Sequence, residues 1–286
     1  MNLKIIVCCH KEVPKLDESV FMPIHVGKKN AKVDLGIPGD DTGDNISEMN
    51  YLYCELTGLY WAWKNLEADY LGLCHYRRLF SFHTKNKIQL FVRKVYYKIQ
   101  QVLLAFSYTR KDTSFFYARY NVSGKDEVMK ESRLFNDDIN NYLARKPETV
   151  AFALREVNYG IISNYDRFSG IAGSYHLEIT KKIIEQKYPT LNPYFSKTLY
   201  SNKLHYANMV IMKKEVFDNY CSFVFDVLKS HLNCLITDGY VISAKEKSLS
   251  RLSGYLGELL TSTYISYLLA KNEQNVKLLS QIQIKG

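Results

Sequence analysis

Missing motifs narrow this chain before its features are read. Its 286 residues contain no G-x-x-x-x-G-K-[ST], no G-x-G-x-x-G, no G-x-S-x-G and no H-E-x-x-H. P-loop kinase, dinucleotide dehydrogenase, serine hydrolase and zincin readings therefore lose their usual signatures. Asp-x-Asp, the pair that holds a metal-bound sugar-nucleotide diphosphate in many transferases, is also absent. The six cysteines (Cys8, Cys9, Cys54, Cys74, Cys221 and Cys234) form no C-x-x-C pair, and most sit in apolar runs. Reduced, buried thiols are expected, and a zinc site is not. No run approaches the roughly 18 to 20 apolar residues of a membrane span. The apolar stretch in MNLKIIVCCHK is too short for a signal peptide, so a cytoplasmic protein is expected.

Hydrophobic residues make up 47% of the chain and charged residues 23%, enough for a sizeable core and too balanced for disorder. One domain spanning 1–286 is expected, with an inserted basic helical and polar lobe at about 84–150. Tyrosine is abundant, 23 residues against two tryptophans. Tyrosine rings suit sugar faces, although an AT-rich genome also enriches tyrosine. The net charge of +9 and the pI near 9.0 point to an anionic partner: a nucleotide, a nucleic acid or an acidic membrane surface.

Leu3–Cys9 reads as a buried parallel strand, with His10 and Lys11 at its carboxyl end, where ligands of open α/β sheets bind. Phe21–Val26 reads as a second strand and Gly36–Asn45 as a loop. A helix is predicted over Ser47–Asn65, capped by Ser47, with Asn50, Cys54, Thr57, Trp61 and Lys64 on one face. Another strand is predicted over Asp69–Cys74. From Lys85 to Lys111 there are seven basic residues, no acid, and apolar residues at helical spacing. That is a basic amphipathic helix, suited either to an anionic membrane or to packing on its own domain. Ser114–Lys146 reads as a mixed polar, mobile lobe. Strands are predicted in YGIIS (159–163) and at Ala207–Met212, and helices over Glu178–Gln186, Lys214 to about Leu232, and Gly254–Ala270. Strands alternating with helices favour an α/β fold.

Gly39–Phe80 departs furthest from an ordinary domain. It holds Asp40, Asp41, Asp44, Asn45 and Asn50, then both tryptophans, and ends on His75-Tyr76-Arg77-Arg78 after an apolar run. Polar groups of both signs among rings suit a sugar joined to a diphosphate. Arginine forks bind phosphate oxygens without a metal, so arginine-based binding at His75–Arg78 is expected, with His75 as a metal ligand left open. Glu67-Ala68-Asp69 has a similar spacing of acids to Asp-x-Asp, but it precedes its strand. The 40–45 loop either binds ribose, sugar or a divalent cation, or serves as a turn capping the next helix; it lacks the calcium-loop pattern. In RLSGYLGELL, Glu258 lies among apolar residues. It is either a general base with a raised pKa or a structural acid paired with Arg251. His176, and His205 with Asn208, stand near element ends.

The stretches HK after the first strand, DDTGDNIS, YCELTGLYWAWKN, YLGLCHYRRLF, NMVIMKKEVFDNYC and RLSGYLGELL together resemble a bacterial family. It is a domain of unknown function found in capsular and exopolysaccharide biosynthesis glycosyltransferases, galactofuranosyltransferases among them. The resemblance runs from about residue 3 to about residue 270. It implies a GT-A-like, Rossmann-type mixed sheet flanked by helices and a UDP-sugar donor, UDP-galactofuranose first. It also implies transfer to a lipid-linked oligosaccharide at the inner membrane face. A divalent cation, Mn or Mg, is admitted without being required. Carried over, the motif positions are His10, Lys11, Asp40 through Asn45, Glu55, Trp61, Trp63, Lys64, His75 through Arg78, His176, Asn208 and Glu258.

Chemistry then suggests roles. Glu258, Asp41, Asp44 and His75 are catalytic candidates. His10, Lys11, Asp40, Asn45, Trp63, Lys64, Tyr76, Arg77 and Arg78 are donor-binding candidates, and His176, His205 and Asn208 are acceptor-binding candidates. The span between Arg78 and Asn158 is longer than the family leads one to expect. Asn158-Tyr159-Gly160 stands where the family carries an acid. Peripheral contact with an anionic membrane and no nucleic-acid partner are expected. The rival readings are a phosphotransferase acting on the polysaccharide and a non-catalytic binding module.

Overall fold

The computed structural model describes residues 1–84, 87–105, 115–116, 119–243, 249–271 and 275–285. In chain order the first half holds β1 (Leu3–Cys9), β2 (Phe21–His25), α1 (Asn50–Tyr53), α2 (Leu56–Asn65), β3 (Tyr70–His75), β4 (Arg78–Ser81), α3 (Lys87–Ala105), β5 (Phe115–Phe116), β6 (Arg119–Ser123) and α4 (Lys125–Arg145). The second half holds β7 (Ala151–Leu154), β8 (Val157–Asn158), α5 (Asn164–Ala172), α6 (Ser174–Lys187), α7 (Asn192–Tyr200), β9 (Lys203–Leu204), β10 (Val210–Lys213), α8 (Lys214–Thr237), α9 (Leu252–Lys271) and β11 (Val276–Lys285).

β1 is apolar on both faces, as a central strand must be, and it pairs in parallel with β2 on one side and β3 on the other. β10 runs antiparallel beside β3 and beside β7, and β11 runs parallel to β7 and β6. β4 turns back from β3 and joins β11 antiparallel. The result is a mixed sheet with apolar clusters on both faces. One cluster is built with α2, α6, α7, α8 and α9, the other with α4 and the apolar loops. β5, β8 and β9 form a separate small sheet.

Several predicted elements need correction. The helix expected over Ser47–Asn65 is broken at Cys54, whose φ of 51° lies in the left-handed region. A 3-10 turn and α1 precede the break and α2 follows it. Ser47 does not cap that helix: its hydroxyl donates to Asp40 Oδ1 (2.5 Å) and accepts from Lys29 N (3.2 Å). YGIIS is not a strand, since β8 ends at Asn158 and Gly160 turns the chain with φ 79°. β10 starts only at Val210, because Ala207 and Asn208 are both left-handed (φ 70° and 53°). The polar lobe expected over 114–146 is, in its described part, mainly β6 on the sheet edge and the long α4. Val128, Phe135, Ile139 and Leu143 of α4 are buried against the sheet. α3 occupies most of the predicted basic helix, and 106–111 lies outside the described residues.

Candidate active site

The carboxyl ends of β1 and β3 open into a cleft of about 740 Å³, within the size range of small-ligand sites. Cys8 and His10 come from β1 and the residue after it. His75 through Arg78 come from the tight turn joining β3 to β4. The rest of the lining is the 54–55 bend, Arg167 and Ile171 of α5, Tyr206, and the start of α9 with Arg251, Tyr255 and Glu258. Four arginines thus share the cleft with two carboxylates, Glu55 and Glu258.

The backbone around these acids is unusual. Cys54 and Arg251 both have positive φ, and Arg251 N donates to Tyr51 O at 2.9 Å. The α9 helix sits directly on the 54–56 bend because it presents glycines there. A Cβ on Gly257 would come within 2.6 Å of Leu56 Cδ1, and one on Gly254 within 3.3 Å of Cys54 Sγ. Close approach of backbone is what glycine permits, and here it carries Glu258 into the cleft wall. Among the described residues the left-handed non-glycine positions are Cys54, Ala207, Asn208 and Arg251; all line the cleft or bond to residues that do, which matches the tendency of strain to collect at functional sites.

Buried hydrogen bonds fix the orientation of Glu55. Asn208 Nδ2 donates to Glu55 Oε1 (2.8 Å) and Thr261 Oγ1 donates to Asn208 Oδ1 (2.9 Å). Tyr220 OH lies 2.7 Å from Thr261 Oγ1. His75 Nε2 is 2.8 Å from Ala207 O and 3.9 Å from Glu55 Oε1. A carbonyl only accepts, so Nε2 carries the proton. Burial holds the His75 pKa below its ordinary value despite the Glu55 charge, so the ring is neutral. Glu258 is pushed up to about 7, first by burial and then by Glu55. Arg167, Arg78 and the Ala207 N–H pull the other way. Arg78 lies over the Tyr206 ring (5.0 Å) and donates to its hydroxyl (3.2 Å). Arg251 hydrogen-bonds the Cys54 thiol, and among the described residues it forms no ion pair with Glu258.

Of the residues singled out from sequence, the cleft gathers His10, His75, Tyr76, Arg77, Arg78 and Glu258, with Asn208 directly behind Glu55. The others lie elsewhere. Lys11 is exposed outside the cleft lining. Asp40 is fully buried and accepts from Gly27 N (2.9 Å), Lys28 N (3.2 Å) and Ser47 Oγ. Asp41 is outside the lining as well. Asp44 accepts from Tyr60 OH, Asn45 closes its own turn, and the loop is tied to α2 through Asn65 and Trp61. Trp63 stacks on Phe225 (5.8 Å), and the Lys64 ammonium lies over the Trp63 ring, 3.5 Å from its centre. His176 pairs with His231 (3.3 Å) in a separate buried spot. His205 bonds Leu154 O and Ser262 Oγ.

Glu55, Arg167 and Tyr206 were given no role from sequence. Glu55 had a visible signal, a lone acid in the otherwise uncharged run YLYCELTGLYWAW. Arg167 had none, because α5 was not recognised. Among the described residues no three His, Cys, Asp or Glu side chains are grouped as a metal ion requires.

Comparison with known proteins places this arrangement. The family described as a domain of unknown function, DUF4422, matches residues 4–272. The chain belongs to this family. No curated protein matches the sequence. Among solved structures, the apo structure of the bifunctional glycosyltransferase WbbM is similar, with a TM-score of 0.76 and 27% identity. The match covers 100% of this chain and 46% of that one, so the chain spans about half the length of its structural relative. The α/β fold is therefore one found in a glycosyltransferase. No helix among the described residues is long and apolar enough to cross a membrane.

Proposed function

We propose that the protein is a glycosyltransferase that moves a hexose from a UDP-sugar onto a hydroxyl of a lipid-linked oligosaccharide in surface polysaccharide synthesis. UDP-galactofuranose is the first donor to try. The observation that carries this reading is the cleft itself. Arg77, Arg78, Arg167 and Arg251 line the same cleft as Glu258, a half-buried glutamate whose pKa is raised to about 7 against the pull of Arg167 and Arg78. Likeness to a bifunctional glycosyltransferase over the whole of this chain supports it.

In this reading the acceptor hydroxyl gives its proton to the Glu258 carboxylate as its oxygen attacks the anomeric carbon. The bond from that carbon to the diphosphate oxygen breaks, and the electron pair leaves with UDP. Arginine guanidinium groups meet the charge that develops on the departing oxygens. Neutral His75, whose Nε2 proton is held by Ala207 O, and Glu55 keep the adjoining wall polar. A general base with a pKa near the working pH is both partly ionised and strong enough to act. The arginines meet the diphosphate charge directly.

The test is to incubate the protein with UDP-galactofuranose, and separately with UDP-galactose, and a short-chain acceptor glycan. Products are weighed and UDP release followed. The expected result is an acceptor heavier by one hexose with matching UDP. An acceptor heavier by a phosphate-containing group would mean a phosphotransferase, and no turnover with any UDP-hexose would remove the proposal.

A further inference from the structure

The amphipathic helix α3 is docked the unexpected way round. Its polar side holds it to the protein. Tyr97, its one buried side chain among those described, donates to Asn158 Oδ1 at 2.7 Å. Gln101 lies against Gly160, so closely that a Cβ there would come within 2.5 Å of Gln101 Oε1. The apolar side faces outward. Phe91, Val92, Val95, Ile99, Val102 and Leu103 are all exposed, Phe91 to 68% and Leu103 to 64%. At 100° per residue these six share an arc of roughly 120° on one face. Lys94 and Lys98 stand exposed along its edge. A helix packed on its own domain buries such a stripe; contiguous exposed apolar surface of this kind marks an interaction site.

We infer that the outward face of α3 docks on an anionic lipid bilayer, its apolar stripe entering the headgroup boundary and its lysines meeting lipid phosphates. Charge selects this occupant. The segment from Lys85 to Lys111 carries seven basic residues and no acid. It therefore complements an anionic leaflet and repels a second copy of itself across a two-fold contact. Position links the surface to the cleft. The 158–160 turn that anchors α3 also holds Arg167, whose guanidinium lies 4.3 Å from the Tyr159 ring centre and which lines the cleft wall. The inference deepens the proposed function and rests on it for the acceptor: a lipid-linked glycan would be offered from the same surface on which α3 rests.

Vesicle flotation tests it, comparing phosphatidylcholine vesicles with vesicles of roughly one-third phosphatidylglycerol. The intact protein, Ile99→Asp and the double variant Lys94→Glu/Lys98→Glu are compared. Both changes lie on exposed positions, and UDP thermal shift with turnover of a water-soluble acceptor checks that the cleft is intact. The expected result is that the protein floats with anionic vesicles and not with neutral ones. Ile99→Asp weakens partitioning about ten- to a hundredfold, the double variant at least about tenfold, and both keep soluble-acceptor turnover. Wild-type protein that ignores anionic vesicles, or Ile99→Asp that floats as well as wild type, overturns the inference. So does an Ile99-dependent dimer without lipid, seen by sedimentation, which would assign the face to a second copy. Flotation without UDP binding would keep the membrane surface and remove the transferase reading instead.

Discussion

At Glu258, burial and the charge of Glu55 oppose Arg167 and Arg78, and the first pair wins: the carboxyl rises from the ordinary 4.5 to about 7. A base with that value is empty of its proton only as pH climbs through about 7. The account therefore predicts that kcat/KM rises with pH through that point and then levels. Glu258→Gln should lose about 10²- to 10⁴-fold in turnover, together with the inflection. Because Glu55 raises the Glu258 value, Glu55→Gln should move the inflection to lower pH while still accepting the Asn208 amide. A pH–rate series on the three proteins checks both outcomes. The stability sign follows from the same shift. A carboxyl raised in the folded state contributes stability that is full below about 4.5 and lost as pH rises through about 7. Glu258→Gln should therefore gain on wild type in unfolding free energy above a pH of about 7, by on the order of 3 kcal/mol at most, seen as a higher melting temperature. Of this residue-scale picture the sequence showed Glu258 among apolar neighbours and the HYRR turn. It could not show Glu55 close enough to Glu258 to raise its pKa, because that pairing depends on a bend at Cys54 with no glycine or proline to announce it.

At the scale of elements, two contacts decide the site's shape. The α9 helix lies close on the 54–56 bend with no side chain at 254 or 257 to hold it off. Gly257→Ala sets a Cβ at 2.6 Å from Leu56 Cδ1 and should cost about 1–3 kcal/mol by overpacking, visible as a lower denaturant midpoint. It should also weaken turnover beyond its effect on stability, since Glu258 is the next residue. The 40–45 loop is the second. Asp40 is buried and satisfies two backbone N–H groups and a hydroxyl, so Asp40→Ala should destabilise by about 2–4 kcal/mol yet leave the donor KM unchanged in the folded fraction. A raised KM with normal stability would instead return Asp40 to donor binding. Long elements were legible: β1, β3, α8 and α9 all fall where apolar runs and helical spacing put them. Short ones were not. β7 has four residues, β8 and β9 two each, and such runs are set by their partners rather than by their own pattern. β11 pairs with three strands near the chain's end; with a pattern half buried and half not, it gave no clear strand signal.

For the molecule as a whole, the parallel β2-β1-β3 block points its carboxyl ends at one cleft, and α5 and α9 close it with arginines and Glu258. This is where an open α/β sheet binds ligands. The central claim is that these arginines hold a nucleotide diphosphate. The most direct measurement is UDP affinity by calorimetry for wild type and Arg78→Ala, with melting curves to show that both are folded. Arg78 stacks on Tyr206 at the cleft wall, and a charge-assisted hydrogen bond is worth about 1.5–3 kcal/mol. The account predicts that wild type binds UDP and that Arg78→Ala weakens Kd roughly ten- to a hundredfold. A wild-type protein that does not bind UDP, or a folded Arg78→Ala that binds it as well as wild type, would contradict it.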